Sequence, residues 1–140
     1  MKFLILVLLV PILALAELAN EPPELSVRNR LMEHAGKPAL DCGRADKVTK
    51  NLSKSSCAIR AYKRNIAFFV QYSLVGTDAT TEEGYAFDSQ GRLFYVWTIS
   101  SSALYGGKPS GKIEVHLCKT QSLRILTNGD GELTCDFDLR

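Results

Sequence analysis

The longest apolar run stands at the start of the chain. Residues 3–16 (FLILVLLVPILALA) carry no polar side chain, follow a single Lys2 and end in Ala14-Leu15-Ala16. At helical rise this run spans ~21 Å, short of the ~30 Å hydrocarbon core of a bilayer. A basic residue at position 2, a short apolar run and small residues at positions −3 and −1 predict a signal peptide over 1–16. Residues 17–23 (ELANEPP) are polar and proline-bearing, and read as a flexible start to the mature chain. Residues 24–140 are left as one domain, with no further run long enough to span a bilayer.

Within that domain the period of the apolar positions changes once. Leu25, Val27, Leu31 and Ala35 form an imperfect helical stripe, stopped by Gly36 and Pro38. Residues 37–54 are mostly polar or small and read as loop, with room for an amphipathic turn around Ala45, Val48 and Leu52. Ser55 or Ser56 can cap a second helix through CAIRAYKR, and Asn65 can end it in the left-handed region. From Ile66 the period is two. In IAFFVQYSLV, Ile66, Phe68, Val70, Tyr72 and Leu74 alternate with Ala67, Phe69, Gln71, Ser73 and Val75. Both faces carry bulk, which predicts a central strand. GYAFD and RLFYVWT flank Ser89-Gln90-Gly91 as a hairpin with Asp88 at its first turn position. KIEVHLC alternates, with Ile113, Val115 and Leu117 expected inward and Lys112, Glu114 and His116 outward. LRILT and ELTCDFD flank NGDG as a second hairpin. Helices precede strands, so the predicted class is α+β, not βαβ: one or two N-terminal helices on an antiparallel sheet of about five to six strands.

Composition adds little to this picture, but the cysteines add much. With 46% hydrophobic and 23% charged residues, the chain is of ordinary globular make-up, which excludes a disordered, collagenous or coiled-coil whole. Cys42, Cys57, Cys118 and Cys135 make an even set in an exported chain, which favours two disulfides. Four cysteines allow three pairings. Cys42–Cys57 and Cys118–Cys135 are preferred because they close local loops, each stabilising by ~3 kcal/mol. No C-x-x-C exists and only His34 and His116 could add imidazole, so no metal or other cofactor is expected.

Charge is unevenly spread. Residues 25–64 carry ten Lys/Arg against three acids, net +7, and residues 65–140 carry six against nine, net −3. Arg44, Lys47, Lys50 and Lys54 are spaced so that a helical stretch would set them on one face. Such a patch suits an anionic surface or an acidic protein; export and a modest pI disfavour nucleic acid. Residues 99–111 (ISSSALYGGKPSG) form an unusually long connection, with Leu104, Tyr105 and Lys108 as candidate contacts. No G-x-S-x-G, H-E-x-x-H, P-loop or G-x-G-x-x-G occurs. NGDGE at 128–132 lacks the alternating acids of a calcium loop and reads as a turn. Glu132, Thr134, Asp136 and Asp138 share one face of the last strand, as a charged, solvated edge would.

From Cys57 onward, the cysteine-bearing helix, FFVQYSLVGTD, the glycine-bearing hairpin, the strand ending in Cys118 and GELTC at 131–135 resemble small exported bacterial proteins of uncharacterised function. The order of helix, strands and C-terminal disulfide also resembles the cystatin architecture of protease inhibitors. That family inserts a Q-x-V-x-G hairpin; here Gln71 and Gly76 stand one residue too far apart, without valine at the third place. The expected function is therefore a non-enzymatic binding domain, exported to the periplasm or extracellular space, for a protein or anionic ligand. The alternatives are a cystatin-like inhibitor and a small hydrolase using Asp136 or Asp138 with His116.

Overall fold

A computed structural model describes residues 23–46, 56–75, 80–98, 112–127 and 129–138. Its elements, in chain order, are α1 (Pro23–Ala35), β1 (Leu40–Asp46), α2 (Cys57–Lys63), β2 (Phe68–Val75), β3 (Thr80–Phe87), β4 (Leu93–Thr98), β5 (Ile113–Leu117), β6 (Thr120–Ile125) and β7 (Gly131–Asp136). Strands β1 to β5 form one sheet in sequence order, and β6–β7 a separate antiparallel pair. The α+β class holds, and two disulfides, Cys42–Cys57 and Cys118–Cys135, join the expected partners. Two expectations are corrected. The five-stranded sheet is mixed, because β1 runs parallel to β2 with α2 as the crossover. Among the described residues there are also seven strands in two sheets, not five or six in one.

The extra strand arises from residues expected to be loop. In LDCGRAD the apolar alternation is broken by Gly43, which holds φ at 79°. The Asp41 carboxylate accepts a hydrogen bond from the Gly43 N–H (2.9 Å), and the register to β2 shifts between Asp41 and Arg44. A bulge of this kind removes the two-residue period that announces a strand.

Both helices end as their residues dictate. Gly36, at φ 77°, follows α1, and its N–H donates to the Met32 carbonyl. Ser56 caps α2 by accepting from the Ile59 N–H (3.3 Å), and Asn65 takes the left-handed conformation just past its end.

The sheet is buried on both faces. On one lies α1, with Val27, Leu31 and Ala35 against Phe69, Ala86 and Val96. On the other lie α2 and the β6–β7 hairpin, covering Phe68, Val70, Tyr72, Tyr85, Phe87, Leu93 and Tyr95. The second face explains a parity that the alternation of β5 left awkward. Register pairs Tyr95 with His116 and Trp97 with Glu114, and Cys118 shares their side. Lys112 is exposed as expected, but His116 of the same set stacks on Phe137 of the hairpin side, and Cys118, on that side too, meets Cys135. His116 is half-buried, whereas Leu117, expected inward, is 50% exposed. Ile66 likewise lies outside the strand and is exposed.

Close approach of α1 depends on one glycine. A Cβ on Gly84 would fall 2.6 Å from Leu31 Cδ1 and against the Val70 carbonyl oxygen. Gly84→Ala should therefore lift the helix or bend the strand, at a cost of about 1–3 kcal/mol in urea unfolding. A wild-type midpoint in that variant would show that the helix has slack.

The β3–β4 hairpin is organised by Asp88. Its carboxylate accepts from the backbone N–H groups of Gln90 and Arg92 (both 2.9 Å) and from Arg92 Nε (2.7 Å). Burial pushes this carboxyl up, but the three donors and the guanidinium charge outweigh it and hold the pKa below the usual range. The stabilisation is present above the unfolded-state pKa and is lost as pH falls through the lower folded value. Asp88→Ala should cost about 2 kcal/mol at pH 7. Its deficit relative to wild type should shrink as the pH is lowered from 7 into the acid range, where the carboxyl takes up its proton. Parallel unfolding curves at pH 7 and in the acid range check both statements.

Candidate functional site

One end of the five-stranded sheet gathers the polar side chains that the core would ordinarily reject. Register carries Tyr72, Glu83, Trp97 and Glu114 across β2 to β5 in one row, and Val70, Tyr85, Tyr95 and His116 in the next. Both rows face α2 and the hairpin. On the opposite face stand Gln71, Ser73, Glu82 and Thr98. Adjacent acids in β3 thus point to opposite sides of the sheet, and each is buried: Glu82 is 5% exposed and Glu83 3%.

Burying a carboxylate is tolerable only with partners. Glu82 has them on both oxygens: Arg44 Nη2 lies 2.5 Å from Oε1, and Gln71 Nε2 donates to Oε2 at 2.9 Å. Its main chain is held as well. The Glu82 N–H donates to Thr98 Oγ1 (3.1 Å), while that hydroxyl donates to the Glu82 carbonyl (3.2 Å). Glu83 accepts from the Tyr95 hydroxyl. Around it the rings of Tyr72 and Tyr85 meet edge to face at 6.3 Å, with Tyr95 next at 5.4 Å from Tyr85. Burial, joined by nearby negative charge, drives all three phenols far above their ordinary range, so they remain neutral hydroxyls.

The ring series continues into the hairpin. Phe137 stacks on Tyr95 at 5.5 Å and on His116 at 4.2 Å. His116 Nε2 lies 3.4 Å from Trp97 Nε1 and 3.2 Å from Glu114 Oε2. One nitrogen cannot accept from the indole N–H and donate to the carboxylate together, so the imidazole tautomer selects one contact. Glu114 also accepts from Lys112 Nζ (3.2 Å); that ammonium first, then His116, hold its carboxyl below the usual range.

These positions revise the expected site. Arg44 lies in β1, not on a helix, and its guanidinium, more than a third exposed, is joined to Glu82. Lys47, Lys50, Lys54, Leu104, Tyr105 and Lys108 lie outside the described residues. His116 is engaged by Trp97, Glu114 and Phe137 instead of solvent. His34 is half-buried with its ring 4.8 Å from Phe94. The charged face of β7 matches expectation in part: Asp136 and Asp138 are exposed, Asp138 pairs with Lys119, and Thr134 bonds Ser122. Gln71, the glutamine of the cystatin-like comparison, is 2% exposed inside β2 and cannot enter a protease cleft. Among the described residues no group of His, Cys, Asp and Glu is arranged to hold a metal ion, and no helix is long and apolar enough to cross a membrane.

Glu82, Glu83 and their partners were missed because TTEE reads as polar loop. Extending the alternation of GYAF backwards would have found Glu83, since it shares parity with Tyr85 and Phe87.

Two of the three buried tyrosines differ in a way that mutation resolves. The Tyr95 hydroxyl serves Glu83, whereas the buried Tyr72 hydroxyl has no hydrogen-bond partner among the described residues. Tyr95→Phe should cost about 1–3 kcal/mol in chemical unfolding, while Tyr72→Phe should be neutral or stabilising. Equal losses would mean that both hydroxyls are satisfied alike.

No family model, no curated protein and no solved structure matches this chain.

Proposed function

We propose that the chain is an exported, non-enzymatic binding domain that holds a protein or anionic ligand through residues 99–111. Leu104, Tyr105 and Lys108 make the contact, and Lys47, Lys50 and Lys54 add positive charge. The observation that carries this reading is where the strands end. Asp46 ends β1, Val75 and Thr80 bracket the β2–β3 connection, and Thr98 and Ile113 bracket the long one between β4 and β5. Register aligns Asp46 with Ser73, Ser73 with Glu82 and Thr98 with Ile113, so all three segments leave the same end of one sheet. Three strand spacings of ~4.8 Å separate β1 from β4, so the two segments bearing the contact residues start ~14 Å apart.

The foundation under that end is stiff. Glu82 ties β1, β2 and β3 together through Arg44 and Gln71, and Thr98 ties β3 to the start of the 99–111 connection. Contact segments on a rigid sheet are a common arrangement for recognition. Both disulfides fit an oxidising compartment. A binding rather than catalytic role accords with the engagement of the reactive groups: every cysteine is oxidised, and both imidazoles lie against aromatic rings.

Replacing 99–111 by a short Gly-Ser turn, and separately Tyr105→Ala, should leave unfolding within about 0.5 kcal/mol of wild type. Both changes should strip the partners recovered by cross-linking from the envelope and secreted fractions of the producing cell. Retention of the same partners by both variants would overturn the assignment.

A further inference from the structure

The two edges of the five-stranded sheet are unequal. β1 carries a bulge and a glycine in the left-handed region, which spoil it as a template for another strand. β5 has neither: its register to β4 runs unbroken from Ile113 to Leu117. Among the described residues no strand pairs with its outer side, because β6 turns away to pair with β7.

The outward-pointing groups of β5 follow from one bond. The Cys118 N–H donates to the Leu93 carbonyl at 2.9 Å, so Cys118 and Leu93 are a hydrogen-bonded pair of the antiparallel ladder. Alternation then turns the N–H and C=O of Cys118, His116 and Glu114 toward β4. Those of Ile113, Val115 and Leu117 point away from the sheet.

The five residues Ile-Glu-Val-His-Leu are self-complementary when read in opposite directions about Val115. An antiparallel partner of the same sequence sets Val115 against Val115, Ile113 against Leu117 and Glu114 against His116. The residues with outward backbone groups are those that fall opposite one another as hydrogen-bonded pairs. Three such pairs give six backbone hydrogen bonds. Glu114 and His116 fall in the closer, non-hydrogen-bonded positions, where a carboxylate can accept from an imidazole N–H across the strands. The same pairing covers Leu117, a large apolar side chain left 50% exposed on the single chain.

We propose that β5 is a homodimer interface: two copies join edge to edge, antiparallel about a two-fold axis at Val115, into one ten-stranded sheet. The occupant is a second copy rather than an unrelated strand, because a single sequence supplies the apolar match, the donor–acceptor match of Glu114 with His116 and the hydrogen-bond phase together. The axis stands perpendicular to the sheet, so the two α1 helices share one side of the dimer and the two β6–β7 hairpins the other. The interface is small and the association correspondingly weak.

Sedimentation equilibrium of the purified chain, from about 1 µM to about 1 mM, tests this. Wild type should pass from monomer to dimer within that range. Val115→Pro removes an N–H that the β4–β5 ladder does not use, and should leave a folded monomer at every concentration. Glu114→Lys should weaken association by about tenfold, and adding His116→Glu should recover it by placing opposite charges across the axis. If Val115→Pro loses its native disulfides or near-ultraviolet spectrum, Leu117→Lys, a change at an exposed position, takes its place with the same expectation. A wild-type chain that stays monomeric to about 1 mM overturns the proposal. So does a dimer equally strong in wild type, Glu114→Lys and the proline or lysine edge variant.

Discussion

Strands β2 and β3 pair over eight residues, and both sides of that ladder are covered. A strand pair with no solvent face cannot use the ordinary division into apolar and polar sides, and must satisfy every polar atom it carries from within. The rest of the architecture answers that requirement, the Tyr72 hydroxyl excepted. Helix α1 seals one side over Gly84; α2 and the hairpin seal the other, each stapled by its own disulfide. Glu82 and Glu83 are admitted because Arg44, Gln71 and Tyr95 reach them. Had the face under α2 and the hairpin been open, Glu83 would have needed no tyrosine and Cys118 would have had nothing to join.

The two disulfides divide the labour unevenly. Both anchor elements on the side of α2 and the hairpin: Cys42–Cys57 joins β1 to the start of α2, and Cys118–Cys135 joins the end of β5 to β7. Helix α1 is held by packing and by ion pairs such as Arg28–Asp41. The hairpin has further ties, with the Gln121 amide donating to the Gly91 carbonyl at 2.7 Å and Ile59 of α2 lying over Gly131. A two-stranded sheet with a single apolar side is marginal by itself, and these ties with the disulfide make it part of the core.

What could be read from residue order follows the strength of local signals. Ser56 and Asn65 mark both ends of α2, Asp88 and Gly91 mark the turn, and the heavy alternation of FFVQYSLV marks a central strand; all three are local and the structure keeps them. Other features were hidden because their cause is distant. β1 is a strand only because β2 offers it an edge, since LDCGRAD contains a bulge and little apolar bulk. His116 was expected in solvent because alternation tells the two faces of a strand apart without telling whether both are covered. The partner of Arg44 was invisible for the same reason: Glu82 lies 38 residues away in sequence, across β2. The candidate contacts at Leu104, Tyr105 and Lys108 rest on sequence, while the scaffold from which they extend rests on the structure.

Gly84 has a meaning beyond helix packing. A β-ladder can err by sliding, and errors of odd and even step differ in kind. A slide of one residue exchanges the faces of β3 and parts each glutamate from its own partners. A slide of two keeps every side chain on its proper face, so burial alone would not forbid it. It would, however, bring Glu82 or Ala86 to the place where Leu31 leaves no room for a Cβ. The missing methyl thus acts as an index mark. It distinguishes the native alignment from alternatives that hydrophobic patterning treats as equal, and it does so by an absence that no count of contacts records.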